Sequence, residues 1–314
     1  HEAMGAYAEA KLLNERALTI REKALGPEHP GVAYSLGTLA NVHFATGSYA
    51  EAKLLNERAL AIREKALGPE HADVGASLNN LANVHEAMGA YAEAKLLNER
   101  ALAIREKALG PEHTEVAHSL NNLANVHQAM GAYAEAKVLN ERALAIREKA
   151  LGPEHPLVAA SLNNLANVHH DMGSYAEARL LHERALAIRE KVLGPEHPDV
   201  ALTLNNLANV HKAMGAHAEA KALHERALAI REKALGPEHP DVAQSLNNLA
   251  NAHNAMGANA EAKLLFERAL AIQEKVLGPE HPDVAGTLSN LGNLALAQHQ
   301  PTAALALLER AVTI

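Results

Sequence analysis

The sequence has 314 residues, of which 48% are hydrophobic, 21% are charged and 3% are aromatic, and its formal net charge is −8. A negative net charge disfavours general binding to phosphates, and few aromatic side chains are present to stack on bases, so we expect no nucleic-acid partner. No apolar run approaches the ~18 residues of a membrane span, so we expect no membrane partner. The absence of cysteine excludes disulfides, thiolate catalysis and cysteine-ligated metals, and favours a reducing, cytoplasmic compartment.

A pentapeptide, Leu-Gly-Pro-Glu-His, recurs along the chain every 42 residues. Its copies begin at Leu25, Leu67, Leu109, Leu151, Leu193, Leu235 and Leu277. A fixed period of this length indicates a stacked repeat array. We therefore predict one array over residues 1–314. Its units are a partial unit 1–29, full units 30–71, 72–113, 114–155, 156–197, 198–239 and 240–281, and a divergent terminal unit 282–314.

Unit 72–113 illustrates the predicted helix pair. Apolar residues recur at intervals of three or four over residues 72–88, which predicts an amphipathic helix, called helix A, that ends at Gly89. A second apolar stripe predicts helix B over about residues 91–108, stopped by Gly110. The partial unit 1–29 begins with helix B. Because one such pair buries too little surface to be stable alone, we expect each pair to pack on its neighbours.

The helix ends carry three further signals. The pentapeptide histidine lies just before helix A and is expected to cap it. At the start of helix B, two serine–glutamate pairs have the spacing of a capping box, namely Ser48 with Glu51 and Ser174 with Glu177. Arg105, in the last turn of helix B, matches the negative end of the helix dipole.

The face of helix A opposite its leucine stripe carries asparagines at two repeated positions. The first series, the Asn83 row, consists of Asn41, Asn83, Asn125, Asn167, Asn209, Asn251 and Asn293. The second, the Asn79 row, consists of Asn79, Asn121, Asn163, Asn205 and Asn247. An amide offers donors and an acceptor, so both rows can bind a peptide main chain; hydrogen bonds to neighbouring helices are the alternative. For Asn80, nearer the flank, we expect a structural bond between repeats.

Two other positions on this face vary between copies, and we call them the variable positions. The first reads Tyr34, Ala76, His118, Ala160, Leu202, Gln244 and Gly286, and the second reads Phe44, Glu86, Gln128, His170, Lys212, Asn254 and Leu296. Exposed helix B positions such as Glu99 and Arg100 stay nearly fixed, so the variation favours a recognition surface over drift. We expect ligand side chains to be selected by Tyr34, Phe44, Glu86, His118, Gln128, His170, Leu202, Lys212, Gln244 and Asn254.

The 20 histidines do not form a metal-site pattern. Most belong to two repeated positions, and copies on successive units lie about 10 Å apart across packed helices, too far to share zinc at ~2.1 Å. The histidine near the end of helix A, such as His85, is expected to be a core imidazole bonded to the Asn98 position of helix B. We predict no metal, no cofactor and no enzymatic activity.

The repeated residues resemble a known family. The pattern is Leu78-x-x-Leu81-Ala82-x-x-His85-x-x-x-Gly89-x-Tyr91-x-x-Ala94-(x)6-Ala101-Leu102. It is similar to the tetratricopeptide repeat, in the 42-residue class typified by kinesin light chain. The resemblance implies an all-α, right-handed superhelical solenoid of antiparallel helix pairs, in which helix A lines a concave groove that holds an extended peptide. This sequence has His85 at a position where that family usually has tyrosine. The helix A face has one lysine and no arginine, so the preference of kinesin light chain for acidic peptides is not expected here.

The leading functional hypothesis is a non-catalytic protein-interaction scaffold that binds an extended peptide or partner segment along helix A. One alternative is a regulatory arm of a larger signalling protein. Another is head-to-tail self-association through the ends of the array, a contact that does not close on itself.

Overall fold

The computed structural model describes residues 2–314, with side chains from Glu9 onward. Over that range the chain is all α-helical, without a strand. The helices are α1 (Glu2–Leu25), α2 (Pro30–Ala45), α3 (Tyr49–Leu67), α4 (Ala72–Ala87), α5 (Tyr91–Leu109), α6 (Thr114–Ala129), α7 (Tyr133–Leu151), α8 (Pro156–Asp171), α9 (Tyr175–Leu193), α10 (Pro198–Ala213), α11 (His217–Leu235), α12 (Pro240–Ala255), α13 (Asn259–Leu277), α14 (Pro282–Ala297) and α15 (Pro301–Thr313).

The helices belong to two compact units, residues 1–168 and residues 169–314, with the boundary inside α8. Within each unit the even-numbered helices are helix A and the odd-numbered helices are helix B. Consecutive helices such as α4 and α5, or α10 and α11, pack chiefly on each other, and successive A helices such as α4 and α6 also touch. The predicted all-α solenoid of tandem helix pairs is confirmed.

Glycine sets the ends of both helices in a repeat. In unit 72–113, Gly89 follows helix A with φ 74° and Gly110 follows helix B with φ 88°. A side chain is strained at such angles, so glycine ends the helix at low cost. The same two positions have positive φ in the other full units, and His299 takes the first of them in the terminal unit with φ 56°. In unit 72–113 the helix bounds read from the sequence agree with the structure to within about one residue.

The pentapeptide histidine caps helix A, as predicted. The Nδ1 atom of His71 accepts a hydrogen bond from the backbone N–H of Asp73 at 3.2 Å. Equivalent bonds are made by His29, His113, His155, His197, His239 and His281. Each satisfies one N–H that the first turn of a helix leaves unpaired.

The predicted capping boxes at Ser48 and Ser174 are wrong. Neither serine side chain caps its helix, and Ser48 has φ −79° and ψ 64°, outside the extended region that a capping serine adopts. Ala90 has nearly the same backbone angles at the equivalent position. The turn itself fixes this conformation, because the Ala90 N–H donates to the carbonyl of His85 at 2.8 Å.

The core of each repeat includes a residue from the preceding repeat. In one cluster Val74 and Leu78 of α4 pack with Ala101 and Ile104 of α5, and Leu60 of α3 completes it. The equivalent positions form the same cluster around α6 and around α10. Stacking therefore supplies apolar surface that a single helix pair lacks.

Ion pairs join successive B helices on the outside of the stack. The Arg100 Nη2 atom lies 2.6 Å from Glu64 Oε1. The same pairing recurs as Arg58–Glu22, Arg142–Glu106, Arg226–Glu190, Arg268–Glu232 and Arg310–Glu274. The constancy of these exposed positions thus has a structural cause, since each joins two repeats.

In the terminal unit, the Leu308 side chain occupies the space that a side chain at Gly292 would need. A Cβ atom on Gly292 would lie 2.7 Å from Leu308 Cγ. Gly292→Ala should therefore lower the free energy of unfolding by up to about 2 kcal/mol, since overpacking costs ~1–3 kcal/mol and helix propensity returns ~1. With Leu308→Asn present, the same change should raise it by about 1 kcal/mol, because Ala82 faces Asn98 without strain in an earlier unit. Urea unfolding of the parent protein, the two single variants and the double variant measures these free energies. Additive effects of the two substitutions would contradict a packing interaction between positions 292 and 308.

Candidate binding face on helix A

The Asn83 row lies on the surface of helix A. Asn83 of α4 is half-buried and Asn125 of α6 is exposed. Neither side chain forms a hydrogen bond with another residue in the described part of the chain. The other members, Asn41, Asn167, Asn209, Asn251 and Asn293, are likewise exposed or half-buried. These amides are therefore open to an incoming polar group.

The Asn79 row occupies a different environment. Asn79 is 1% exposed, and its Nδ2 atom donates to Asn98 Oδ1 at 2.7 Å. Its Oδ1 atom accepts bonds from Arg105 Nη1 and from Ser119 Oγ, both at 2.8 Å. Within this row, four members, Asn79, Asn121, Asn163 and Asn205, are buried, and Asn247 is half-buried. The expectation that the four line a peptide-binding surface is corrected here, because their amides lie in the interior.

Buried arginines tie this interior network together. Arg105 on α5 reaches Asn79 of its own helix A and Ser119 of the next. Its Nη2 atom lies 3.1 Å from Glu115 Oε2, while burial lowers the pKa of the guanidinium. Arg147, Arg189 and Arg231 are buried in the same way. The sequence analysis assigned Arg105 only an interaction with the helix dipole and did not predict that it bonds two repeats together. The one signal for this role is that arginine recurs at the same position of successive units.

The Asn98 position bonds to the Asn79 row, at Asn79, Asn121 and Asn205, which corrects the expected bond to the helix A histidine. In another repeat, neither ring nitrogen of His182 has a hydrogen-bond partner among the described residues. His85 Nδ1 has no hydrogen-bond partner among the described residues, and burial is the largest cause lowering its pKa. Two later units carry histidine at the Asn98 position. His224 Nδ1 lies 2.8 Å from Asn205 Oδ1, and burial lowers the pKa of both His182 and His224 to about 4.

The residues expected to select ligand side chains are all at least partly accessible. Those exposed are Tyr34, Phe44, His118, Leu202, Lys212 and Gln244, and those half-buried are Glu86, Gln128, His170 and Asn254. The first variable position lies beside the arginine of the preceding helix B. Arg21 Cζ lies 5.4 Å from the centroid of the Tyr34 ring, and Arg231 Nη1 donates to Gln244 Oε1 at 3.3 Å.

An aromatic patch lies beside the Asn83 row in unit 1–168. The Phe44 and Tyr49 ring centroids are 5.4 Å apart. Phe44, Asn41 and Asn83 line a cavity of about 60 Å³ between α2 and α4. The patch therefore combines an apolar surface with two amides of the row.

The described residues contain no group of three or more histidine, aspartate or glutamate side chains placed to hold a metal ion. Among the same residues, no helix combines the length and the apolar character that crossing a bilayer requires.

Over the described residues, helix pairs stacked in sequence define an all-α repeat protein. Tetratricopeptide repeat models match residues 1–65, 37–107, 73–149, 115–191, 157–233, 199–275 and 241–314. The chain belongs to the tetratricopeptide repeat family and is similar to its kinesin light chain class. This fold is typically a non-catalytic scaffold, consistent with protein–protein interaction.

The chain is also similar to solved structures of proteins with this fold. The kinesin light chain nearly identical TPR-like repeats of Podosopora anserina share 38% identity, with 66% of this chain and 98% of that chain covered and a TM-score of 0.56. BtubC (BKLC) from P. vanneervenii has 24% identity, coverage of 74% and 91%, and a TM-score of 0.59. RapI in its apo form shares only the fold, at 15% identity, coverage of 90% and 96%, and a TM-score of 0.66. No curated protein matches the sequence.

Proposed function

We propose that this chain is a protein-interaction scaffold that holds an extended peptide, or a segment of a partner protein, along the helix A face. The observation that carries the proposal is the contrast between two amides one turn apart. Asn79 is buried and bonded through both its Nδ2 and its Oδ1 atoms, whereas Asn83 is accessible and unbonded. Asparagine is a mediocre helix former, so an asparagine without an internal partner in every helix A points to an external one.

The chemistry of a main-chain ligand fits the Asn83 row. Each amide can donate to a peptide carbonyl and accept from a peptide N–H, whatever side chains the ligand carries. Selectivity would then come from the variable positions. In unit 1–168 the Phe44 side chain, 37% exposed, offers apolar contact area next to Asn41, and the Tyr34 ring, 63% exposed, offers more at the first variable position.

The test uses a peptide selected from a displayed random library against the folded protein. Asn83→Ala with Asn125→Ala is expected to weaken its binding about tenfold or more, since a net hydrogen bond contributes ~0.5–1.5 kcal/mol and 1.4 kcal/mol is tenfold. The matched control is Glu99→Ala with Glu141→Ala on helix B, which should leave the dissociation constant unchanged. Equal affinities for all three proteins, or no selectable peptide, would contradict the proposal.

Head-to-tail self-association is the second candidate. It is supported by Leu305 of α15, an apolar side chain that is 58% exposed at the position where the preceding unit carries the exposed Lys263. Sedimentation velocity at several protein concentrations tests it, because growing oligomers are expected if the contact forms and a constant monomer rejects it. The full-length reading frame decides whether the array is a regulatory arm of a larger signalling protein.

A further inference from the structure

A polar cavity of about 240 Å³ opens on the helix A face of unit 169–314, between α12 and α14. Its walls include the side-chain amides of Asn247, Asn251 and Gln273 and the acidic residue Asp283. The volume is far above the ~15 Å³ that one water molecule requires. The cavity is therefore large enough to admit a ligand side chain.

Two sequence differences create this cavity. Gln273 replaces the arginine that all earlier units carry at this position, namely Arg21, Arg63, Arg105, Arg147, Arg189 and Arg231. Gly286 occupies the first variable position, and a Cβ atom added there would meet no atom within 4 Å. In the preceding unit the space holds a guanidinium, because Arg231 Nη1 donates to the Asp241 carbonyl and to Ser245 Oγ, each at 2.9 Å.

The loss of that guanidinium leaves a buried acceptor without a donor. Asn247 Oδ1 is buried and has no hydrogen-bond partner among the described residues, whereas the equivalent Asn79 Oδ1 accepts from Arg105 at 2.8 Å. The Asn247 Nδ2 atom is already committed to Thr287 Oγ1 at 2.7 Å. Asp283 stands where Glu115 pairs with Arg105. The cavity thus keeps the acceptor set of an arginine site but lacks the arginine.

We propose that this cavity is a subsite for the guanidinium of an arginine side chain in the bound segment, an inference that rests on the proposed function. Guanidinium is planar, permanently charged and carries five N–H donors, so it can donate to Asn247 Oδ1 while pairing with the Asp283 carboxylate. A ligand carboxylate is disfavoured by Asp283. An apolar side chain leaves the buried amide oxygen unpaired, a cost that the guanidinium removes.

The probe is acetyl-Gly-Arg-Gly-amide, titrated against the ¹⁵N-labelled protein and followed through the Gly286 amide and the Asn247 and Asn251 side-chain resonances. We expect saturable shifts, and binding about tenfold weaker for the peptide with neutral citrulline in place of arginine, a difference of 1.4 kcal/mol. A lysine peptide should lie between the two, because ammonium lacks the planar fork.

Two variants complete the test. Gln273→Arg supplies the missing guanidinium from the chain itself, so it should fold as the earlier units do and abolish the shifts. Leu296→Ala is the matched control, because it truncates an exposed side chain on the same helix α14 that does not line the cavity, and it should retain them. Citrulline binding as tightly as arginine, absence of saturable shifts, or shifts that survive Gln273→Arg would overturn the inference.

The outcomes separate this inference from the proposed function. If the selected peptide loses affinity in the Asn83→Ala, Asn125→Ala protein while the arginine titration fails, only the cavity inference falls. If those two substitutions have no effect on the selected peptide, the proposed function falls whatever the cavity binds.

Discussion

Asn79→Ala is expected to destabilise the array by about 3 kcal/mol, because it removes one hydrogen bond from each of three buried polar groups, at ~1 kcal/mol per bond. The three are Arg105 Nη1, Asn98 Oδ1 and Ser119 Oγ, each bonded to Asn79 at 2.7–2.8 Å. Because the bonds join α4, α5 and α6, the substitution weakens the contact between repeats as well as one helix pair. Urea unfolding followed by circular dichroism measures the change.

The matched control for this prediction lies one turn along the same helix. Asn83→Ala removes the same atoms from a position where the amide has no internal partner, so its effect on the free energy of unfolding should stay within about 0.5 kcal/mol. Equal destabilisation by the two substitutions would show that the assignment of the Asn79 row to the interior and the Asn83 row to the surface is mistaken.

Acidification is expected to destabilise unit 169–314 through two buried histidines. His182 and His224 are 0% and 1% exposed, and burial lowers the pKa of each to about 4 from 6.5. Between those values the unfolded chain binds protons that the folded chain does not, so stability is fully present above pH 6.5 and is lost as the pH falls toward 4. At pH 5 the loss should be about 2 kcal/mol per histidine.

Asparagine at both positions supplies the control for the acid effect. Asn98 already pairs with Asn79 in an earlier unit, so His182→Asn with His224→Asn should fold and should lose much less stability between pH 7 and pH 5. Thermal unfolding of both proteins at the two pH values measures the difference. Identical pH dependence in the variant and the parent protein is the outcome that excludes this explanation.

Local signals in the sequence were sufficient for the helices and their ends. Gly89 and Gly110 mark positions with positive φ, which glycine accepts at low cost, and His71 lies at the point where helix A needs an acceptor. These effects act within a few residues of the chain. They are therefore visible without knowledge of packing.

The two asparagine rows could not be separated from the sequence, because the difference depends on the next helix pair. On one helix Asn79 and Asn83 lie only about 40° apart at 100° per residue. Ser119 of α6 and Arg105 of α5 cover the Asn79 flank, and a pattern on one helix does not indicate which flank a neighbour covers. The cavity at Gln273 likewise requires positions from three helices to be seen together.

The most direct measurement is an NMR titration of the asparagine side-chain NH₂ groups with the library-selected peptide. Resonances of the Asn83 row at the bound repeats are expected to shift and to become protected from solvent, while those of the buried Asn79 row stay in place. Shifts confined to helix B, or to the ends of the chain, would contradict a peptide-holding surface on helix A.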